Sequence, residues 1–183
     1  QELDQSRYEE LVEKEARHWG DVKLDPKNPQ IWEDDRLFEI FFGKEYRHLI
    51  DRAVASGPRV LELGCGEGNL AIELSQRGLL VDAIDLSAER IERAKAKADS
   101  NGLQSPPEFV VGDLNVISLH RNKYDCIVAH DSLHHILRLD NLLKEAHNAL
   151  KPGGVILVID YIGMGRVRRF CAAFLAGILP TYQ

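Results

Sequence analysis

The 183-residue chain has few cysteines, no long apolar run and no excess of basic residues, and each shortage excludes a class of protein. Its three cysteines, Cys65, Cys126 and Cys171, are widely spaced and odd in number. They form neither a CxxC pair nor a disulfide framework, which indicates a reducing, cytoplasmic setting. No apolar run reaches the roughly 18 residues that a membrane span needs. We therefore expect one globular domain with its own core.

The charge balance is acidic, with 29 Asp and Glu against 23 Lys and Arg. Proteins whose main partner is a nucleic acid usually carry a basic face, so this balance disfavours nucleic acid as a partner. Residues 162–183 are the exception, because they contain Arg166, Arg168 and Arg169 and no acid. The segment 166–179 predicts a helix whose first interpretation is a cover for the sheet. Its second, weaker interpretation is contact with a membrane surface.

The hydrophobic spacing changes at about residue 58. Before it, residues 8–19 and 36–56 have apolar positions every three or four residues, which predicts helices. After it, short apolar runs alternate with helical patterns; the runs are 59–63, 79–85, 108–113, 124–130 and 155–161. This alternation predicts an α/β fold, a three-layer, Rossmann-like, doubly wound and mainly parallel sheet with helices on both faces.

Three domain segments follow from this spacing. We expect an N-terminal helical cap over residues 1–58, a ligand-binding α/β core over 59–161 and a basic, apolar C-terminal helix over 162–183. Each candidate site residue of the core comes directly after a strand. In open parallel sheets, ligands bind beyond the carboxyl ends of the strands, where the strand order reverses.

A glycine turn, GCGEG at residues 64–68, joins the first strand to a helix, which is how chains approach a nucleotide-like ligand. The dinucleotide fingerprint G-x-G-x-x-G/A fails here, because Asn69 stands at its third small position and the third glycine is Gly68. A pyrophosphate beside Glu62 and Glu67 would also meet like charges. An NAD(P)-dependent oxidoreductase with an atypical glycine loop is therefore the alternative rather than the first interpretation.

Two aspartates follow the next two strands. Asp85 ends the second strand, 21 positions after Gly64, where a carboxylate can accept hydrogen bonds from two ribose hydroxyls. Asp113 ends the third strand and can accept a hydrogen bond from an exocyclic amine such as that of adenine, with Leu114 against the ring. Both aspartates also suit ordinary turns.

The segments VLELGCGEGN, DAIDLS, VVGDL, YDCIVAHDSLHHI and LKPGGVILVID, in this order, resemble the motifs of class I S-adenosylmethionine-dependent methyltransferases over about residues 58–161. The resemblance implies S-adenosylmethionine as cofactor and S-adenosylhomocysteine as product. It implies that Asp85 holds the ribose hydroxyls and that His130 lies over the cofactor through its backbone. It further implies two sets of cofactor contacts. The residues that line the methionine end are Glu62, Gly64, Cys65, Gly66 and Gly68. The residues that flank the adenine are Leu86, Asp113 and Leu114.

The loop after the fourth strand offers groups for methyl transfer itself. The reaction is an in-line displacement in which the protein mainly aligns donor and acceptor, and a hydroxyl acceptor benefits from a general base. His134 and His135 are the candidate catalytic bases, although one of them can instead pack or cap the turn. Adjacent histidines are poor joint ligands for one zinc ion, and no matching carboxylate pair is evident in the sequence, so no metal is predicted.

The resemblance implies that the N-terminal helices fold over the cofactor as a lid. The candidates for substrate contact there are Tyr8, His18, Trp19, Trp32 and Phe42, each of which can equally be a packing residue. Strands six and seven, which usually end the sheet in this family, are not found after residue 161. The predicted function is methyl transfer to a small-molecule acceptor; the third interpretation is a non-catalytic module that binds S-adenosylmethionine without turnover.

Overall fold

The computed structural model describes residues 4–21 and 35–160. The expectations for Trp32, for Cys171 and for the helix at 166–179 lie outside these residues. Six helices and five strands follow in order: α1 (Gln5–Asp21), α2 (Asp35–Phe41), α3 (Gly43–Ser56), β1 (Arg59–Leu63), α4 (Asn69–Gln76), β2 (Leu80–Asp85), α5 (Ala88–Ser100), β3 (Glu108–Val111), β4 (Tyr124–His130), α6 (Leu139–Ala149) and β5 (Leu150–Ile159). A short 3₁₀ turn, Leu133–His135, lies between β4 and α6.

The five strands form one parallel sheet in the order β3-β2-β1-β4-β5. The order reverses between β1 and β4, which is the switch point at which such sheets bind ligands. Because all strands run in one direction, their carboxyl ends share one edge of the sheet. The predicted α/β fold with a parallel, doubly wound sheet is confirmed.

Successive residues of the central strands point to opposite faces of the sheet, and each face has its own core. Val60 belongs to one hydrophobic cluster and Leu61 to the other, and Val128 and Ile127 divide in the same way. Helices α3, α4 and α5 contribute residues to the first cluster, whereas α6 contributes to the second. Helices therefore cover both faces, as the alternating pattern predicts.

Three element boundaries differ from the sequence-based expectations. The predicted helix over 36–56 is interrupted at Phe42, so that α2 and α3 are separate. Strand β3 ends at Val111, which leaves Asp113 in the following loop. Strand β5 begins at Leu150, earlier than predicted, because its pairing with β4 starts there and continues past an irregularity that accommodates the Pro-Gly-Gly turn.

Helix α3 is packed against the sheet. Leu49, Ile50 and Ala53 of this helix lie in the first core cluster. Helix α1, by contrast, contacts α5. The proposed boundary between cap and core at residue 58 stays a prediction. Among residues 4–21 and 35–160, no helix has the length and apolar character that crossing a membrane requires.

Candidate cofactor-binding site

The turn after β1 contains three glycines in the left-handed region. The φ angles of Gly64, Gly66 and Gly68 are 75°, 54° and 74°, values that favour glycine because a Cβ atom would be strained there. The backbone nitrogens of Gly64 and Cys65 both donate to the carbonyl of Ile84, at 2.8 and 3.0 Å. The turn is thereby fastened to the end of β2, next to Asp85.

The space above these glycines is occupied by other parts of the chain. A Cβ atom at Gly64 would lie 2.5 Å from Cβ of Ser132, and one at Gly68 would lie 2.7 Å from the ring of Phe109. At Gly66 it would lie 2.5 Å from the Arg90 guanidinium. Packing within the protein therefore requires glycine at Gly64 and Gly68, whatever the ligand. At Gly66 the guanidinium can move, so the positive φ is the stronger requirement.

Asp85 connects the glycine turn to the start of α5. It is buried, and its Oδ2 accepts a hydrogen bond from the nitrogen of Gly66 at 2.8 Å while its Oδ1 accepts one from the nitrogen of Ser87 at 2.9 Å. Ser87 in turn caps α5, because its hydroxyl accepts from the nitrogen of Arg90. A carboxylate has about four acceptor positions, so Asp85 keeps capacity for further donors.

Glu62 has the most unusual environment of the predicted cofactor residues. Only 3% of it is exposed, and its Oε2 has no hydrogen-bond partner among the residues that the structure describes. Burial raises the pKa of Glu62 to about 8, against the effect of a hydrogen bond to the backbone of Ala71. A buried carboxyl oxygen without a partner is costly, and a cationic ligand group would remove that cost. The site thus fits the ammonium group of S-adenosylmethionine.

The remaining predicted cofactor residues have different surroundings. Cys65 is buried, and burial raises the pKa of its thiol, so it is an inert part of the turn. His130 ends β4 with its ring 5.3 Å from that of Tyr46, and burial lowers the pKa of His130. Leu86 is half-buried directly after β2. Leu114 is buried in the second core cluster, so its side chain packs within the protein.

Asp113 already accepts three hydrogen bonds from two neighbours. Its Oδ1 accepts hydrogen bonds from the backbone nitrogen and Nδ2 of Asn115, at 2.9 and 2.8 Å. Its Oδ2 accepts from the hydroxyl of Tyr8 in α1. The Tyr8 ring also lies 4.4 Å from the guanidinium carbon of Arg138. The start of α1 is therefore held against the loop after β3.

The other end of α1 is held over the glycine turn. Trp19 lies 5.0 Å beneath the guanidinium of Arg90, and its Nε1 donates to Glu15 at 2.7 Å. Glu15 also contacts Nδ1 of His135 at 2.8 Å. Helix α1 thus extends from Asp113 to Arg90 across the carboxyl edge of the sheet. This position is consistent with the predicted lid. Among the described lid candidates, Tyr8 donates to Asp113 and the Trp19 ring lies 5.2 Å from that of His135.

The rings of the two candidate catalytic histidines are in contact in the 3₁₀ turn, with centroids 4.0 Å apart and planes inclined by 44°. Nδ1 of His134 lies 2.6 Å from Oδ1 of Asp160, directly after β5. The other oxygen of Asp160 accepts from the nitrogen of Leu133, also at 2.6 Å. Sequence reasoning missed both Asp160 and Glu15. The available indication for Asp160 was its position at the end of a strand, which it shares with Asp85.

Asp131 and Asp160 place two carboxylates around His134 that the sequence did not reveal as a group. One ligand atom from each of these three residues lies within 4.8 Å of the others. Asp131 is the more distant acid, with its Oδ1 3.8 Å from Nδ1 of His134, and 54% of its side chain is exposed. Nδ1 already makes a short contact with Asp160. The expectation that no metal binds here stays a prediction.

Known proteins resemble this chain in sequence and in structure. A tRNA 5-carboxymethoxyuridine methyltransferase of Escherichia coli is 28% identical over 169 residues, which are 89% of this chain and 59% of that protein. The crystal structure of an S-adenosylmethionine-dependent methyltransferase from Mesorhizobium loti is 26% identical, has a TM-score of 0.54 and covers 62% of this chain and 51% of its own.

A second solved structure supports the fold alone. Geranyl diphosphate C-methyltransferase from Streptomyces coelicolor is 20% identical, has a TM-score of 0.68, and covers 90% of this chain and 72% of its own. The present chain spans 59% of the length of the E. coli enzyme, so similarity to it concerns part of that protein.

The profile of the methyltransferase domain family matches residues 60–154, which include the glycine turn, Asp85, Asp113 and the histidine turn. The matched segment is more than half of the chain, and it coincides with the sheet from β1 to the first part of β5. The resemblance stated from the motifs is thereby confirmed, and the chain belongs to the methyltransferase domain family.

Proposed function

We propose that this chain binds S-adenosylmethionine at the carboxyl ends of β1, β2 and β3 and catalyses methyl transfer to a small-molecule acceptor. The observation that carries the proposal is Glu62, a carboxyl group that is 3% exposed and has one oxygen without a partner among the described residues. A hydrogen-bond donor would complete this oxygen, and a cationic donor would also stabilise the ionised form of the group. The methionine end of this cofactor supplies one as its ammonium group.

The residues around Glu62 would each bind a different part of the cofactor. Within the glycine turn, the N–H groups of Gly64, Cys65 and Gly66 already donate to acceptors in the protein. The cofactor's carboxylate is therefore assigned to the first turn of α4, which starts at Asn69, because the first turn of a helix leaves N–H groups without intrahelical partners. Asp85 accepts hydrogen bonds from the ribose hydroxyls, using the acceptor positions of its carboxylate that the two backbone hydrogen bonds leave free. Asp113 accepts from the adenine amine, but only after Tyr8 shares or releases its Oδ2. When bound, the cofactor supplies an electrophilic methyl carbon on sulfonium, and the carbon–sulfur bond breaks with its electron pair on sulfur.

The acidic side chains around the 3₁₀ turn favour a methyl acceptor that is not a polyanion. Asp131, Asp160 and Glu15 surround the two histidines of the 3₁₀ turn. A phosphate backbone brought to this edge would be repelled by these carboxylates. The E. coli relative is named for a tRNA substrate, so a transfer RNA is the comparison substrate that the test must include.

The oxidoreductase alternative is disfavoured by the same residues. A pyrophosphate placed at the glycine turn would lie near Glu62, whose environment already opposes negative charge. It would also lie near Glu67, which is paired with Arg93 at 2.8 Å. A cationic ligand group would stabilise the ionised form of Glu62, which a pyrophosphate would oppose.

The experiment is calorimetric titration of this chain with S-adenosylhomocysteine and, separately, with NAD. We expect binding of the first and none of the second. Asp85→Asn removes charge while keeping shape, and should weaken the S-adenosylhomocysteine interaction by about 10-fold or more, because hydrogen bonds to a charged group contribute about 1.5–3 kcal/mol. NAD binding without S-adenosylhomocysteine binding would overturn the proposal. Methyl-³H transfer to small hydroxyl compounds and to tRNA then compares the acceptor classes.

A further inference from the structure

We propose that Asp160 is a positioning residue that fixes the tautomer of His134, so that Nε2 of His134 receives the proton that a methyl acceptor loses. The inference rests on the proposed function, because it assigns the base of that reaction. It also selects one histidine from the pair that the sequence left open.

The geometry places Asp160 between two groups of the same turn. Oδ1 lies 2.6 Å from Nδ1 of His134, and Oδ2 accepts from the nitrogen of Leu133 at 2.6 Å. Only 9% of the Asp160 side chain is exposed, against 35% of the His134 side chain, so the carboxylate is the shielded partner of the pair. Because Asp160 follows β5 directly, its position is set by the sheet. The carboxylate therefore fixes both the backbone of the turn and the plane of the ring.

A carboxylate partner decides which ring nitrogen carries the proton. An ionised carboxylate only accepts hydrogen bonds, so Nδ1 of His134 must donate and therefore holds the hydrogen in the neutral ring. Nε2 then has a free lone pair and can accept a proton. An acceptor hydroxyl at this nitrogen would transfer its proton to Nε2 while the oxygen electron pair forms the new bond to carbon. The protonated ring would be stabilised by Asp160.

His135 has an equivalent contact that is held less firmly. Its Nδ1 lies 2.8 Å from Glu15, whose side chain is 36% exposed. Glu15 also accepts from Trp19, and both residues lie on α1 rather than on the sheet. The orientation of His135 therefore depends on the position of α1. His134 keeps its orientation from the sheet itself, which makes it the base and His135 its neighbour.

Replacement of Asp160 by Asn should reverse the tautomer of the His134 ring. The nitrogen of Leu133 can only donate, so the amide oxygen of the new side chain would face it. The amide NH₂ would then face Nδ1 of His134, which must become an acceptor, and the proton would move to Nε2. Asp131→Asn is the matched control, because Asp131 is 3.8 Å away and Asn tolerates its positive φ of 52°.

The first measurement reads the tautomer by ¹⁵N NMR of the histidine rings at a pH of about 8.5, where an ordinary imidazole is neutral. We expect His134 to show protonated Nδ1 and bare Nε2 in the native chain and in Asp131→Asn. Asp160→Asn should show the reverse. A native ring with protonated Nε2, or one that does not respond to Asp160→Asn, would overturn the proposal. A change of the Nδ1 signal on adding Mg²⁺ or Zn²⁺ would also overturn it, because Nδ1 would then be a metal ligand.

The second measurement separates a base at the transfer site from a structural histidine. S-adenosylmethionine and S-adenosylhomocysteine differ by the methyl group and its positive charge, so the Nε2 resonance of His134 should differ between the two complexes. The resonances of His147, which is exposed in the last turn of α6, should not. An unchanged His134 in the presence of both ligands would make it a structural residue. If neither ligand binds, the proposed function fails, while the tautomer result still stands by itself.

Turnover provides the last readout once an acceptor is found among hydroxyl compounds. Asp160→Asn should lower kcat by about 100-fold, with KM changed by less than about two-fold, because it removes base catalysis and leaves binding. Asp131→Asn should stay within about two-fold of the native rate. Equal losses in both variants would show a general effect of charge and contradict a positioning role for Asp160.

Discussion

The hydroxyl of Tyr8 donates a hydrogen bond to Oδ2 of Asp113, which joins the first turns of α1 to the loop after β3 across 105 positions of the chain. Burial, followed by the hydrogen bond and charge of Asp113, raises the pKa of Tyr8 to about 12, so the phenol remains a donor at all ordinary pH values. In the proposed complex, the same carboxylate oxygen accepts from adenine. Tyr8 and the cofactor therefore compete for Asp113.

Tyr8→Phe should strengthen S-adenosylhomocysteine binding. The substitution removes the hydrogen bond that the adenine amine must replace, and a bond of about 1 kcal/mol corresponds to an affinity gain of roughly five-fold. Isothermal titration calorimetry at one temperature and salt concentration measures the gain.

Tyr124→Phe is the control for this substitution. Tyr124 also donates to an aspartate, Asp82, at 2.7 Å. Tyr124 begins β4, however, and therefore lies at the amino-terminal end of the strand, away from the predicted cofactor site. Its loss should leave the affinity unchanged while lowering the free energy of unfolding. A weaker affinity in Tyr8→Phe would show that Tyr8 holds the cofactor instead of competing with it.

Binding of S-adenosylhomocysteine should release a proton from Glu62. The pKa of Glu62 is about 8 in the free protein, so the group is mostly protonated at pH 7. An ammonium beside it favours the charged form and lowers that pKa, which expels the proton. Titrations at pH 7 in phosphate and in Tris should therefore give different binding enthalpies. The difference should equal the number of protons released multiplied by the difference between the ionisation enthalpies of the two buffers.

Glu62→Gln should abolish this release and weaken binding by about 10-fold or more, since a charge-assisted hydrogen bond contributes about 1.5–3 kcal/mol. Glu67→Gln is the matched control in the same turn, because Glu67 is paired with Arg93 and is more exposed. It should keep the proton release. Identical enthalpies in both buffers for the native chain would rule out Glu62 as the cationic partner.

The same carboxyl group should make the free protein less stable as pH rises. The pKa of Glu62 is raised from an ordinary value of 4.5 to about 8 in the folded state, so the unfolded chain loses this proton first. The free energy of unfolding therefore falls between pH 4.5 and 8, and this group adds no further slope above that range.

Glu62→Gln should remove that slope and exceed the native stability at pH 8 by about 1–3 kcal/mol, because no buried charge forms. Urea denaturation without ligand at several pH values between acid and pH 8 measures it. Parallel stability profiles for the two proteins would contradict the assigned pKa.

Gly68 and Gly78 form a matched pair for testing the packing of the glycine turn. Both have positive φ, 74° and 86°, but a Cβ atom at Gly68 would lie 2.7 Å from Phe109, whereas nothing lies within 4 Å at Gly78. Gly78→Ala should cost about 1 kcal/mol from backbone strain, and Gly68→Ala about 2 kcal/mol more from overpacking. Denaturant titration measures both. Equal costs would show that the turn relaxes away from α5 and β3.

Much of the fold could be predicted because it depends on local pattern. The alternation of apolar runs and helices identified the five strands, and Ser87 caps α5 as a residue of its type should. The break at Phe42 was not visible, because the apolar spacing continues through it. Leu114 is buried in the second core cluster, which the sequence did not indicate, and its contact with the adenine stays a prediction.

The candidate site could be predicted only in part, for a different reason. Glu62, Asp85 and the glycines belong to contiguous motifs at the ends of β1 and β2. The contacts of Asp160 with His134 and of Glu15 with His135 join distant parts of the chain, and they depend on how β5 and α1 are placed. No spacing rule indicates such a pair, so these acids became visible only in the folded structure.

The most direct test of the account is a crystal structure of this chain with S-adenosylhomocysteine. The account predicts the ligand's ammonium within hydrogen-bond distance of Oε2 of Glu62, its ribose hydroxyls on Asp85, and Tyr8 displaced from Oδ2 of Asp113 or sharing it. A ligand bound elsewhere, with Oε2 of Glu62 still buried and without a hydrogen-bond partner, would contradict the role of Glu62 as the partner of the ammonium group.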